Sequence, residues 1–124
     1  MKAAILAAVL TGMTAAVAQA QTAPADSAPI EFRVVASPDN ISGCRGLDGT
    51  FSRVNTITLQ GDKALLKIAG GITETLKQTA PLVYTTVITM NGVRLDVVAD
   101  ASKSPKTLVM TDKNRGCRWD GTPK

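Results

Sequence analysis

Two cysteines sit in near-copies of one short phrase. Gly43-Cys44-Arg45-Gly46-Leu47-Asp48-Gly49-Thr50 is echoed by Gly116-Cys117-Arg118-Trp119-Asp120-Gly121-Thr122. Each cysteine follows a glycine, precedes an arginine, and is trailed by Asp-Gly-Thr. A bond between the cysteines would make Arg45, Asp48, Arg118, Trp119 and Asp120 neighbours. Two kinds of chemistry fit such a cluster. Two guanidinium groups and an indole face would hold an anionic or sugar-like ligand. The same residues also make two salt-bridged turns with Trp119 covering the disulfide, the Asp-Gly pairs being ordinary turn chemistry.

Other chemistries lack their residues. The chain has no histidine, which removes the commonest general base, the usual nucleophilic triads and most zinc sites. No lysine follows a serine at the Ser-x-x-Lys spacing. No glycine-rich phosphate loop and no calcium-loop spacing of acids occurs, so no metal and no cofactor is expected. Glu31 and Glu74 are the only glutamates and the aspartates are scattered, which leaves a carboxylate-based hydrolase as a formal alternative only. Asp96 and Asp100 share strand parity with Arg94 and read as a solvated charged face.

The N-terminus places these residues in a compartment. Lys2, an alanine-rich apolar run from Ala3 to Val17, and Ala18-Gln19-Ala20 make a signal peptide over residues 1–20, with cleavage between Ala20 and Gln21. The expected location is periplasmic or extracellular, where a Cys44–Cys117 disulfide would persist. That bond closes a loop over most of the mature chain. Wide spacing argues for a staple rather than a Cys-x-x-Cys redox site. Asn40-Ile41-Ser42 is a glycosylation sequon, expected to be unused because the short alanine-rich signal has bacterial character.

Residues 21–29 are Pro, Ala and polar, and read as a disordered leader. Residues 30–124 then form one small β-domain. No further apolar segment has the length of a membrane span. Aromatic content is 3%, so the core must be built from Val, Ile, Leu, Met and Ala. The net charge is +4. Six cations but only two anions fall between Ala101 and Lys124, an excess that reads as a weak polyanion contact or as a solubilising surface. No basic run appears, and no nucleic-acid partner is expected.

Beyond residue 30 the hydrophobic period is mostly two. Phe32, Val34 and Ala36 share one face, as do Val93, Leu95, Val97 and Ala99, with charged residues between them. Asn91-Gly92 is the strongest hairpin signal. Ser37–Asn40, Gln60–Asp62, Gly70-Gly71 and Asp112–Gly116 are further turns. Strands are expected over 31–36, 50–59, 64–69, 73–78, 83–90, 93–100, 107–112 and 116–120. Residues 72–79 also carry some helical character, which Pro81 would stop. About eight short strands and one disulfide predict an all-β domain, a small antiparallel up-and-down barrel or a compact sandwich.

In layout the chain resembles the small periplasmic inhibitors of c-type lysozyme. The likeness spans Cys44 to Cys117, with Asp48-Gly49-Thr50-Phe51 after the first cysteine and Leu76-Lys77-Gln78 before Tyr84. It implies a lipocalin-like β-barrel. The inhibitory motif of that family, Ser-Gly-x-x-Tyr followed by Trp-x-Lys-Gly, is absent, with Ala80-Pro81 standing before Tyr84. Gly43-Cys44 with Gly49-Thr50-Phe51 also resembles a short stretch of META-type secreted domains.

These readings converge on a monomeric, non-enzymatic exported β-domain that binds a partner. The partner is a protein, an anionic envelope polymer, or a small ligand inside the barrel. The alternatives are the small hydrolase and a structural envelope subunit assembled by strand addition.

Overall fold

The computed structural model describes residues 27–68, 71–90 and 92–124. The expected signal peptide with its Ala20/Gln21 cleavage site, most of the expected leader, Ala69, Gly70 and Asn91 lie outside the described residues. Eight strands follow in chain order: β1 (Ile30–Ala36), β2 (Val54–Gln60), β3 (Lys63–Ile68), β4 (Ile72–Ala80), β5 (Val83–Met90), β6 (Val93–Asp100), β7 (Thr107–Asp112) and β8 (Cys117–Pro123). Each pairs antiparallel with the next, and β8 pairs back onto β1 through Val34↔Gly121 and Ala36↔Trp119. The result is a closed barrel. Closure settles the choice between barrel and sandwich. Among the described residues every strand therefore has a neighbour on both sides.

The alternation explains why these segments are strands. In β6 the residues Val93, Leu95, Val97 and Ala99 are buried, whereas Arg94 and Val98 face solvent. In β2 the inward residues are Asn55, Ile57 and Leu59. Residues 72–79 are strand throughout, because Leu76 and the half-buried Glu74 and Gln78 share β4's inward parity. Positive φ at Gly92 (76°) fits the hairpin expected there. At the β4–β5 turn a non-glycine residue, Leu82, takes φ 56°.

Side chains fill the interior. Leu66, Leu76, Tyr84, Leu95, Leu108, Met110 and Trp119 expose 0% of their surface, so no water-sized void borders them. Eight strands enclose just enough room for such a filling. A small ligand inside the barrel, one of the expected partners, has no space beside these residues.

The sequence expectation fails between β1 and β2. Residues 50 and 51 belong to a helix, α1 (Arg45–Phe51), which follows a single 3-10 turn at Ser42–Cys44. The Asp48-Gly49 pair is therefore helical and makes no turn. Beyond Asp48 in its first turn, little local favours this helix. It has seven residues, two of them glycine, and no side-chain cap at its N-terminus. Tertiary contacts hold it. The Cys44–Cys117 disulfide ties its start to β8 across 73 residues of sequence, with Cα atoms 5.8 Å apart. Its buried residues Leu47 and Phe51 join the core cluster, and Phe51 packs on Trp119 at 5.3 Å between ring centroids. The buried Asn55 amide donates to the Phe51 carbonyl at 3.2 Å, satisfying the helix end. Thus α1 is a lid on one rim of the barrel.

Asp120-Gly121 also departs from the expected turn, because both residues lie within β8, which runs on to Pro123. Gly121 is required there by packing. A Cβ at this position would meet Val34 Cγ2 at 3.0 Å and the Leu108 Cβ and carbonyl oxygen at 3.2 Å. Gly121→Ala is therefore expected to destabilise by about 1–3 kcal/mol, as overpacking does, although alanine suits a strand better than glycine. Urea denaturation checks this, and a neutral result would show that β1 and β7 can move apart.

Candidate functional site

The structure brings most of the cysteine-flanking residues together and uses them internally. The Trp119 indole N–H donates to Asp48 Oδ1 at 2.8 Å, joining β8 to the lid. Trp119 is 0% exposed, so it presents no ring face to a ligand. That corrects the stacking platform expected from sequence. The reason is strand parity, since Trp119 shares the inward face of β8 with Cys117. Arg118 Nε donates to Asp120 Oδ1 at 2.9 Å on the outward face. Arg45 stands exposed on the first turn of α1 and has no carboxylate within ion-pair distance among the described residues. The Asn40 side chain imitates a backbone unit. It donates to the Arg118 carbonyl at 2.9 Å and accepts from the Arg118 N–H at 2.8 Å. The sequon asparagine is thus a tether for the lid loop. Apart from Arg45, the polar side chains of this cluster have found partners within the chain, as a staple requires.

The charge excess near the C-terminus is likewise absorbed. Lys103 reaches Asp100 at 3.7 Å, Lys113 Asp96 at 3.3 Å, and Arg115 Asp112 at 3.8 Å. Arg118 and Lys124 take Asp120 and Glu31. Ser102 donates from its hydroxyl and its backbone N–H to Asp100, and these two bonds, with Lys103 nearby, hold that carboxyl below its ordinary value. Only Lys106 of the six terminal cations lacks such a partner among the described residues.

Unneutralised charge gathers elsewhere. Lys63 and Lys77 are direct partners across the β3–β4 ladder, about 5 Å apart at Cα, and both are exposed. Like charges placed directly opposite on a sheet face repel. Neither has a carboxylate within ion-pair distance among the described residues. An open groove of about 710 Å³ lies beside them, lined by Asp62, Lys63, Thr75, Lys77, Gln78, Thr79, Ala80 and Pro81. Local geometry shapes it. The β4–β5 register shifts between Gln78 and Ala80. Gln78 N–H bonds the Asp62 carbonyl at 3.0 Å, and the Tyr84 hydroxyl donates to the Gly61 carbonyl at 2.8 Å. These two bonds fix the β2–β3 turn against the end of β4 and the start of β5, beside the groove.

Lysine spacing in the sequence gave no sign of this pair, because Lys63 and Lys77 meet only once the β3–β4 register is known. Arg33 and Arg53 are also exposed without a carboxylate among the described residues, but neither lines the groove.

Fold and site together define a class: a closed, eight-stranded, up-and-down barrel with a disulfide-held helical lid and a cationic outer groove. Neither a protein-family model, nor a curated protein, nor a solved structure matches the chain.

Proposed function

We propose that this protein is an exported, non-enzymatic binding module that docks an anionic ligand in the groove beside Lys63 and Lys77. The observation that carries the reading is the unneutralised, directly opposed lysine pair at a concave surface. Folding gains nothing from that pairing, and an anion bridging the two ammonium groups relieves it. The Thr75 and Thr79 hydroxyls share the outward parity of Lys77 and supply further donors. Ala80 and Pro81 form an apolar wall. A basic protein partner, such as the lysozymes blocked by the family this chain resembles in layout, would be repelled here. The hydrolase alternative draws no support from Asp48 and Asp120, which Trp119 and Arg118 hold.

Amide NMR titration with tripolyphosphate tests the proposal. Shifts should concentrate at Lys63, Thr75, Lys77 and Thr79. Lys63→Gln with Lys77→Gln should weaken binding at least about tenfold, the loss of two charge-assisted contacts, and raised salt should weaken it further. Shifts centred on Arg33 and Arg53, or undiminished binding by the double variant, would reject the groove as the site.

A further inference from the structure

We infer that the ligand is a linear polymer carrying repeated negative charges, which runs along β3 from the Lys63/Lys77 pair to Lys67. This rests on the groove reading and extends it. Lys67 has the same outward parity as Lys63 and is exposed. Four residues of strand separate them, about 13 Å. Lys67 also lacks a carboxylate within ion-pair distance among the described residues. A single small anion satisfies Lys63 and Lys77 and leaves Lys67 unmet.

The surface between the two cationic points is suited to a chain. Across β2 the outward neighbours are Thr56 opposite Lys67, Thr58 opposite Leu65, and Gln60 opposite Lys63. Across β4 they are Thr73 opposite Lys67 and Thr75 opposite Leu65. Neutral hydroxyl and amide side chains therefore flank the whole track. The acids nearest the track are Asp62, which lines the groove at its Lys63 end, Glu74, and Glu31, which stands opposite Thr56 on β1 and is paired with Lys124. Asp62 lies past Lys63 on the β2–β3 turn, and Glu74 has the inward parity of Leu76 and is half-buried. Asp62 would repel a chain leaving that end, so the track is favourable from Lys63 towards Lys67 and unfavourable in the other direction.

The aromatic residues narrow the ligand class. Phe32, Phe51, Tyr84 and Trp119 are the chain's only aromatics, and all four are buried. No ring is available on the surface to stack on bases or sugar faces. Recognition then falls on repeating charge, whether phosphate or sulfate, and not on the rings that carry it.

Chain length is the discriminating variable. Once one charged group is held by Lys63 and Lys77, a second on the same chain reaches Lys67 as an intramolecular event. Long-chain polyphosphate should bind at least about tenfold tighter than tripolyphosphate per phosphate group. In Lys67→Gln that ratio should fall close to one. Dextran sulfate, run beside polyphosphate, should show the same dependence on Lys67 if charge alone is read. Dependence confined to one of the two polymers would name the phosphate or the sulfate source. In Arg33→Gln with Arg53→Gln, which removes as much charge as the groove double variant, both affinities should stand. A length gain that survives Lys67→Gln, or no length gain at all, overturns the polymer inference. Tripolyphosphate binding that survives Lys63→Gln with Lys77→Gln overturns the underlying site instead, so the two failures are separable.

Discussion

Breaking the Cys44–Cys117 bond is expected to lower the melting temperature by roughly 15–30 °C. The bond spans 73 residues, and closing a loop of that length in the unfolded chain is worth about 4 kcal/mol. A domain of this size loses roughly 4–8 °C per kcal/mol. The effect also has a native-state component. The lid helix has two glycines and no side-chain cap, so it needs its tether to persist. Circular dichroism melts with and without reductant, and of Cys44→Ala with Cys117→Ala, check the figure. A shift of only a few degrees would mean that Leu47, Phe51 and Asn40 hold the lid without help.

Trp119→Ala should be the most damaging single side-chain truncation. Removing a fully buried large aromatic costs about 3–5 kcal/mol. Here it also strips the contact to Phe51 and leaves the half-buried Asp48 carboxylate without its indole donor. Trp119→Phe separates the two contributions. It keeps most of the apolar contact and loses the hydrogen bond, so it should cost about 1–3 kcal/mol. Denaturation followed by far-UV circular dichroism measures both. If the two variants prove equally costly, the bond to Asp48 outweighs the packing. If alanine costs under about 1 kcal/mol, the lid does not close on Trp119 as described.

Strand after strand was legible because the barrel's inside and outside impose period two directly on the residues. Val93 to Asp100 shows this most cleanly, with every inward residue apolar and buried. The disulfide was legible from compartment chemistry alone. The lid was not, because Arg45–Phe51 is short and holds two glycines, so that Leu47 and Phe51 alone mark its apolar face, and its staple and ring contact come from residues about seventy positions away. The role of Trp119 depended on the same missing information. Its neighbours in sequence are charged, but its neighbours in space are Phe51 and Asp48. The candidate site was illegible for a related reason. Net charge along a chain does not reveal which cations find carboxylates. The terminal cluster looked richest in charge, yet it is nearly neutralised by Asp96, Asp100 and Glu31 from other strands. The lysines of β3 and β4 looked ordinary, and their register leaves them facing each other.

The two ends of the domain meet. Phe32 pairs with Pro123, and the Lys124 N–H donates to the Glu31 carbonyl at 2.9 Å. In an antiparallel ring of eight strands, those ends share a rim with the Gln60–Asp62 and Pro81-Leu82 turns that frame the groove, while α1 caps the opposite rim. A short linker from Lys124 to Pro29 would therefore turn the chain into a continuous circle, which can be reopened at the exposed Lys113–Gly116 turn. Such a circular permutant would keep every ladder and place its new ends beside the lid, so the same barrel could be immobilised from either side with its groove turned towards or away from a surface.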